Sequence, residues 1–185
     1  GSEMCIRDSR KQLLDVEPNA GHTGLAELEK DFNVTVVTQN VDNLHERAGS
    51  THVIHLHGEL TKVCSSRDPY NPRYVRELKP EEYEVKMGDK AGDGSQLRPF
   101  IVWFGEAVPE IETAIGYVEK ADIFVIIGTS MNVYPAAGLL NYVPRTAEVY
   151  LIDPKPVDTH SMRQIHGIQK GASEGVKELK TEILH

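Results

Sequence analysis

The chain has 185 residues, of which 39% are hydrophobic and 26% are charged, a composition typical of one globular domain or of one domain with a small appendage. Its formal net charge of −8 argues against a nucleic-acid groove as the main functional surface. No apolar run reaches the roughly 18 residues that a membrane-spanning helix needs. The only cysteines are Cys5 and Cys64, and nothing resembles a secretory signal, so we expect a reducing, cytoplasmic location.

The first nine residues differ from the rest of the chain. Gly1-Ser2 resembles an expression scar, and residues 3–9 (EMCIRDS) match no periodic pattern that continues downstream. We interpret residues 1–9 as a foreign or disordered leader, with native sequence beginning near Arg10.

Helical and strand patterns then alternate along the chain. Leu25, Leu28 and Phe32 recur at helical spacing, and Ile123 to Ile127 form the continuous apolar run of a strand buried in a parallel sheet. The predicted helices cover residues 22–32, 110–120 and 136–141, and a C-terminal helix contains Val176, Leu179 and Ile183. The predicted strands cover residues 34–37, 52–55, 100–103, 123–127 and 149–152. This alternation predicts an α/β fold built on a doubly wound parallel sheet with helices on both faces.

One region interrupts the alternation. Residues 61–97 are rich in charge, proline, glycine and tyrosine, which predicts a small inserted module or a long functional loop. Residues 10–60 and 98–185 would then form a single α/β domain.

Two polar clusters follow predicted strands, where open α/β sheets bind ligands. Residues 38–43 (TQNVDN) follow the strand at 34–37, and Gly128-Thr129-Ser130 follow the strand at 123–127. Either cluster alone is more often a simple turn than a site.

The stretch HVIHLHGEL contains His52, His55 and His57. In a strand His55 and His57 would point to the same face, as metal ligands would, and Cys64 follows seven residues later. A metal site, one catalytic base and a histidine-rich strand all fit this pattern.

Four sequence blocks in this order narrow the choice: TQNVDNLHERAG (38–49), HGEL (57–60), WFGE (103–106) and GTSMNVYPAAG (128–138). Together they resemble the sirtuin family, the NAD-dependent protein lysine deacylases, from about Arg10 to the C-terminus. The resemblance implies a Rossmann-like domain that cleaves the nicotinamide–ribose bond of NAD. The resemblance further implies that the acyl group of a lysine is transferred to the ADP-ribose part of NAD. The products are nicotinamide, free lysine and O-acyl-ADP-ribose.

The resemblance also implies site residues. His57 and Asn40 are the implied catalytic residues, His57 as the general base that takes a proton from a ribose hydroxyl. The implied cofactor contacts are Gln39, Asn40, Val41, Asp42, His57, Gly128, Thr129, Ser130, Asp153, Pro154, Lys155 and Ala172. The implied substrate contacts, which would bind the peptide by strand addition, are Val102, Phe104, Gly105, Glu106, Val133 and Tyr134. Asp153 and Lys155 replace an Asn and a Glu of the family, and a lysine cannot accept a hydrogen bond from a ribose, which leaves the role of Lys155 open.

The chain departs from the family in its metal ligands. Most sirtuins hold a structural zinc with two CxxC pairs in the small module, whereas region 61–97 contains Cys64 alone. A site made of Cys64, His55 and His57 is a poor substitute, because His57 is needed neutral and free. We therefore expect no zinc and no other metal.

The second departure concerns the N-terminal part. We expect the family's first strand and its pyrophosphate-binding glycine loop to be missing, and the Tyr-x-x-Arg pair of desuccinylases would fall at Ile6 and Ser9, in the suspect leader. The acyl preference, acetyl or succinyl, stays open for this reason.

Two functional hypotheses follow. The first is an NAD-dependent deacylase acting on acylated lysines of proteins or peptides, without nucleic-acid or membrane partners. The alternative is a non-catalytic NAD- or ADP-ribose-binding or interaction fragment, which the missing loop favours. A generic Rossmann oxidoreductase fails because no G-x-G-x-x-G follows a strand.

Overall fold

The computed structural model describes residues 2–103, 105–128, 136–156 and 163–185, with the side chains of residues 2–5, 136 and 137 outside the description. The α-helices are α1 (Ser2–Leu13), α2 (Ala20–Glu27), α3 (Leu44–Arg47), α4 (Ile111–Val118) and α5 (Ala172–Ile183). The strands are β1 (Val36–Thr38), β2 (Val53–His55), β3 (Gly58–Ser65), β4 (Arg76–Glu77), β5 (Leu97–Ile101), β6 (Ile123–Ile127), β7 (Glu148–Ile152) and β8 (His166–Ile168). Short 3-10 helices cover Leu28–Lys30, Pro72–Tyr74, Pro80–Glu82 and Ala136–Tyr142.

The chain divides into two compact units. The first comprises Gly1–Glu17, Thr38–Leu44 and His55–Pro109, and the second comprises Pro18–Val37, His45–Ile54 and Glu110–His185. Strands β1 and β2 form a two-stranded sheet, in which the Val36 N–H donates to the His52 carbonyl at 3.0 Å and the Leu56 N–H donates to the Thr38 carbonyl at 3.0 Å.

The first unit is built around an antiparallel sheet with strand order β4-β3-β5. Strand β3 pairs with β5 from Gly58 opposite Ile101 to Ser65 opposite Leu97, with an irregularity in the register between Gly58 and Val63. A small core lies on this sheet and contains Val63, Leu78, Tyr83, Ala91 and Leu97. The predicted module 61–97 lies within this unit, but β3 and β5 continue past both of its predicted ends. The pairing of these two strands joins the insert and its flanking sequence into one sheet.

The second unit contains a parallel sheet with strand order β6-β7-β8, in which Ile123 lies opposite Glu148 and Tyr150 opposite His166. Its core combines strand and helix residues, namely Leu28, Tyr150, Ile152, Ile168, Val176 and Leu179. The predicted α/β class with a parallel sheet is confirmed. Strand β8 was not predicted, because three residues that include Gly167 are too short for a periodic signal.

Helices α2 and α5 approach closely in the second unit. A Cβ atom added at Gly24 would lie 2.7 Å from Val176 Cγ1, so Gly24 permits the close spacing of α2 and α5. Helix α2 begins with a capping box, in which the Asn19 side chain accepts from the N–H groups of Gly21 and His22, and the His22 side chain accepts from the Asn19 N–H. This cap starts the helix at Ala20, two residues before the predicted position.

Other predicted elements also differ from the structure in their bounds or type. The strand predicted at 100–103 is Leu97–Ile101, because its pairing with β3 begins at Leu97. The strand predicted at 34–37 is Val36–Thr38, because the pairing with β2 begins at Val36. The helix predicted at 136–141 is a 3-10 helix, and Gly138 in its middle has low α-helical propensity.

The predicted disorder of residues 1–9 is wrong for the described residues, since α1 runs from Ser2 to Leu13. Its anchor is Arg10, which is only 2% exposed. The Arg10 Nε donates to the Leu60 carbonyl at 2.6 Å and Nη1 donates to the Tyr83 carbonyl at 3.4 Å, and burial lowers the pKa of this guanidinium. The foreign origin of the leader stays a prediction. No helix in the described part of the chain is long and apolar enough to cross a bilayer.

Candidate functional site

His57 lies in a turn, not in a strand. Strand β2 ends at His55, and Leu56 and His57 form the turn before β3 begins at Gly58. The His57 carbonyl accepts from the Val102 N–H at 2.9 Å, which fixes the turn to the end of β5. The half-buried imidazole makes no hydrogen bond within the described residues, so both ring nitrogens can exchange protons with a ligand.

Gly58 explains why this turn has the sequence His-Gly. Its φ is +88°, a backbone conformation that residues with a Cβ rarely adopt. A Cβ there would run into the Phe100 carbonyl oxygen and lie 2.9 Å from Ile101 Cα. Only glycine permits this approach of β3 to β5, and the approach places His57 beside Val102.

His55 supports the Asn40 loop. The Asn40 carbonyl lies 3.1 Å from His55 Nδ1, and because a carbonyl only accepts, Nδ1 must carry the proton. The Nε2 atom lies 3.8 Å from Glu59 Oε1. The prediction that His55 shares a strand face with His57 is wrong, because the strand ends between them. His55 is buried and fixes the backbone at Asn40 instead.

Asn40 presents its side chain to solvent. The residue is exposed, and its N–H donates to the Thr38 Oγ1 at 3.0 Å. Backbone bonds at both its N–H and its C=O hold the residue, while its amide makes no hydrogen bond in the described part of the chain. The backbone of Asn40 is therefore fixed, and its amide is available to a ligand.

Other residues of the loop after β1 also make hydrogen bonds. Asp42 Oδ1 accepts from the Leu44 N–H at 3.0 Å, capping the short helix α3. The Val41 carbonyl accepts from the Leu60 N–H at 2.7 Å. Gln39 directly follows β1 and is half-buried. The structure therefore brings Asn40, Val41, Asp42 and His57 into one unit, joined through β3.

Glu106 closes a tight turn. The Glu106 N–H donates to the Trp103 carbonyl at 3.0 Å, and Gly105 has a φ of +87°, a backbone conformation that favours glycine. The Glu106 carboxylate accepts from the Trp103 N–H at 3.3 Å and from the Tyr70 hydroxyl at 2.9 Å. It also pairs with Arg98 at 3.3 Å. Sequence reasoning missed Tyr70 and Arg98, because neither belongs to the four recognised blocks.

The second unit holds the remaining described positions. Gly128 follows β6 with a φ of +62°, and its N–H donates to the Ile152 carbonyl at 3.1 Å, so it lies at the ends of β6 and β7. Asp153 follows β7, and its Oδ1 accepts from the Lys155 N–H at 2.8 Å. Pro154 and Lys155 are exposed, and Ala172 is the first residue of α5. The predicted residues Phe104, Thr129, Ser130, Val133 and Tyr134 lie outside the described residues.

The region without zinc cysteines contains a hydrogen-bonded cluster. Ser65 is fully buried; its hydroxyl donates to Asp93 Oδ2 at 2.5 Å and accepts from the N–H groups of Arg67 and Asp68. The Ser95 hydroxyl donates to Asp93 Oδ1 at 2.6 Å. These hydrogen bonds from Ser65 and Ser95 lower the pKa of Asp93 to about 2. The cluster links Ser65 at the end of β3 to Asp93 and Ser95, which precede β5.

Cys64 is a poor metal ligand. Its side chain is fully buried, and its Sγ lies 3.7 Å from the Pro99 carbonyl. Burial raises the pKa of the thiol to about 11, whereas metal binding requires the thiolate.

Comparison with known proteins identifies the family. The family model described as "Sir2 family" matches residues 3–135. The chain is 85% identical over 175 residues to an NAD-dependent protein deacylase of Bacteroides thetaiotaomicron, covering 95% of this chain and 75% of that protein. It is 47% identical over 175 residues to an NAD-dependent protein deacylase of Helicobacter pylori strain 26695, covering 95% of this chain and 74% of that protein. The chain therefore belongs to the Sir2 family.

Solved structures agree with this assignment. A Sir2 homologue in complex with NAD is 35% identical, with a TM-score of 0.76, and the match covers 93% of this chain and 67% of the other. A Sir2 structure with a p53 peptide and NAD is 29% identical, with a TM-score of 0.74, and the match covers 92% of this chain and 72% of the other. The predicted Rossmann-like fold is confirmed.

Proposed function

We propose that this chain removes acyl groups from protein lysines in an NAD-dependent reaction that yields nicotinamide and O-acyl-ADP-ribose. The observation that carries the proposal is the presentation of His57 and Asn40 by one unit in a chain 85% identical to an NAD-dependent protein deacylase. NAD supplies the ribose carbon that the acyl oxygen attacks when nicotinamide leaves.

His57 acts as the general base. Its backbone is fixed by the hydrogen bond from the Val102 N–H to its carbonyl, and its half-buried imidazole has no competing partner among the described residues. The imidazole can accept a proton from a ribose hydroxyl on a ring nitrogen and return it later. Asn40 uses its exposed amide to hold the nicotinamide or a reacting oxygen, while His55 fixes its backbone.

The remaining contacts to NAD follow the family resemblance. Gln39, Val41 and Asp42 border the nicotinamide and its ribose, whereas Gly128, Thr129 and Ser130 contact the cofactor after β6. Gly128 supports this role because its positive φ lets a ligand approach the backbone at the end of the strand. Asp153, Pro154, Lys155 and Ala172 are assigned to the adenosine side. Asp153 Oδ1 accepts from the Lys155 N–H, and the second carboxylate oxygen can accept from a ribose hydroxyl.

The acyl-lysine peptide binds along residues 102–106. The family resemblance alone assigns Val133 and Tyr134 to the peptide, since both lie outside the described residues. Val102, Phe104, Gly105 and Glu106 form this proposed peptide edge. Its exposed Gly105 and its turn geometry suit main-chain recognition of an extended peptide. The structures of relatives that contain a p53 peptide support a peptide substrate.

The test is nicotinamide release from NAD by the 185-residue chain, with acetyl-lysine and succinyl-lysine peptides assayed separately. We expect release only when an acylated peptide is present. His57→Gln should slow it by about 100-fold or more, since general-base catalysis contributes that much. The matched control is His52→Gln, because His52 belongs to the same stretch and contacts Thr35 and Tyr117. Its rate should stay near that of the unmodified chain.

Two results would overturn the proposal. Nicotinamide release that persists in His57→Gln, or that needs no acylated peptide, contradicts the deacylase mechanism. Binding of NAD without nicotinamide release, whichever acylated peptide is added, is the result that a non-catalytic binding fragment predicts.

A further inference from the structure

The geometry points to Glu106 and Tyr70 as positioning residues that hold the turn closed by Trp103 and Glu106 in the shape that the acyl-lysine peptide binds. The inference rests on the proposed function, in which the peptide lies along residues 102–106. It assigns to the Glu106 side chain a role inside the protein, not a contact with the substrate.

The Glu106 carboxylate is occupied by groups of its own chain. Oε2 accepts from the Tyr70 hydroxyl at 2.9 Å, from Arg98 Nη2 at 3.3 Å and from the Trp103 N–H at 3.3 Å. Oε1 accepts from Arg98 Nη1 at 3.3 Å. Since a carboxylate has about four lone-pair sites, the interactions with these three residues leave little capacity for a peptide donor.

The turn needs such support because packing supplies little. Trp103 is 36% exposed, Gly105 is exposed, and a Cβ at Gly105 would meet no atom within 4 Å. An exposed segment that contains glycine loses much conformational freedom when it binds a partner. The Trp103 N–H bond to the carboxylate and the Trp103 carbonyl bond to the Glu106 N–H restrict this freedom before the peptide arrives.

Arg98 connects the carboxylate to the sheet. Its Nη2 also donates to the Ile101 carbonyl at 3.0 Å, at the last residue of β5. The guanidinium therefore ties the side chain of Glu106 to the strand that precedes the turn. Such charge-assisted hydrogen bonds are stronger than neutral ones.

Tyr70 brings the 61–97 region into this arrangement. Its ring meets Phe100 of β5 edge-on, with the ring centroids 6.5 Å apart, and its hydroxyl reaches Glu106 across 36 residues of sequence. Burial and the hydrogen bond to Glu106 raise the pKa of Tyr70. Although burial acts to raise the pKa of Glu106, hydrogen bonds from Arg98 and Tyr70 hold it below its usual value. Near neutral pH the tyrosine thus stays a donor and the carboxylate stays an acceptor.

The first measurement is steady-state kinetics of Tyr70→Phe and Glu106→Gln. Tyr70→Phe removes one hydroxyl, and Glu106→Gln removes the charge and one acceptor oxygen. We expect KM for the acylated peptide to rise about threefold in Tyr70→Phe and about tenfold in Glu106→Gln, where tenfold corresponds to about 1.4 kcal/mol. The value of kcat at saturating peptide and KM for NAD should not change. The matched control is Tyr74→Phe, a tyrosine of the same region whose hydroxyl makes no hydrogen bond within the described residues.

The second measurement needs no peptide and no turnover. Trp103 is the single tryptophan of the chain, so acrylamide quenching of intrinsic fluorescence reports on this turn directly. We expect stronger quenching in Tyr70→Phe and Glu106→Gln than in the unmodified chain or in Tyr74→Phe. The thermal unfolding midpoint of Tyr70→Phe should match that of Tyr74→Phe, because a purely structural role would instead lower the midpoint.

The two measurements separate the failure of this inference from the failure of the proposed function. If the unmodified chain turns over the peptide but both variants keep its peptide KM, the positioning role is overturned. A rise of KM for NAD equal to that for the peptide also overturns it. If the unmodified chain has no activity, the proposed function fails, and unchanged quenching in both variants then overturns the positioning role as well.

Discussion

At the scale of single residues, His57 and His55 lie two positions apart and make different contacts. The His57 carbonyl is bound to Val102, and its imidazole faces no partner in the described part of the chain. His55 is buried, and its Nδ1–H donates a hydrogen bond to the Asn40 carbonyl. A histidine that must exchange protons with a ligand needs an uncommitted ring, and of the two only His57 has one.

Asp93, also at the scale of single residues, makes a pH-dependent contribution to the stability of the fold. Its pKa is about 2, below the ordinary value of 3.8, because Ser65 and Ser95 hydrogen-bond to the charged form. A lowered pKa in the folded state stabilises the fold above the ordinary pKa, and this stabilisation is lost as the pH falls toward about 2. We expect the unfolding midpoint of the unmodified chain to drop across this window more steeply than that of Asp93→Asn.

Urea unfolding of the unmodified chain and of Asp93→Asn is measured at several pH values between about 5 and 2, where such carboxylates titrate. Asp122→Asn is the control, since Asp122 is an exposed aspartate outside the cluster. If Asp93→Asn and the unmodified chain have parallel pH profiles, the Ser65–Asp93–Ser95 cluster does not contribute as described.

At the scale of elements, glycine has opposite roles in α4 and α5. Gly116 in α4 is exposed, and an added Cβ would meet no atom within 4 Å. Gly175 in α5 is buried against Ile152, and an added Cβ would overlap Ile152 Cγ2. Ile152 is fully buried and branches at Cβ, so it cannot move aside.

Substitution of alanine for Gly116 and for Gly175 should therefore change the free energy of unfolding in opposite directions. Gly116→Ala should raise the free energy of unfolding by about 0.5–1 kcal/mol, the gain expected from helix propensity. Gly175→Ala should lower it by about 1–3 kcal/mol, because overpacking outweighs that gain. Urea unfolding of both variants measures the difference. Stabilisation by Gly175→Ala would show that α5 packs less tightly on β7 than the structure indicates.

At the scale of the whole molecule, residues of the chain itself stabilise the first unit. Val63, Leu78, Tyr83, Ala91 and Leu97 form its core, and the Ser65 hydroxyl donates to the Asp93 carboxylate. Arg10 of α1 adds bonds to the Leu60 and Tyr83 carbonyls.

We therefore expect metal analysis of the purified protein to find no stoichiometric zinc. A chelator should leave the thermal unfolding midpoint unchanged, since a buried thiol with a pKa of about 11 and without a second cysteine in region 61–97 is a poor ligand. One tightly held zinc ion per chain, or a lower midpoint in the chelator, would contradict this expectation.

The sequence by itself determined the elements whose signal is local. The apolar runs at 123–127 and 149–152 predicted two neighbouring strands of the parallel sheet, and periodic apolar residues predicted α2, α4 and α5. The order of the four sequence blocks predicted the family, because each block has a distinctive run of residues. These features are visible without knowing which distant residues they meet.

Only the tertiary structure decided the contacts between distant segments. Tyr70 meets Glu106 across 36 residues, and Gly58 is required because β5 passes against it. The end of β2 at His55 separates His57 from the strand, and Arg10 fixes α1 through carbonyls 50 and 73 residues away. No local pattern encodes such contacts, since they depend on the path that brings remote parts of the chain together.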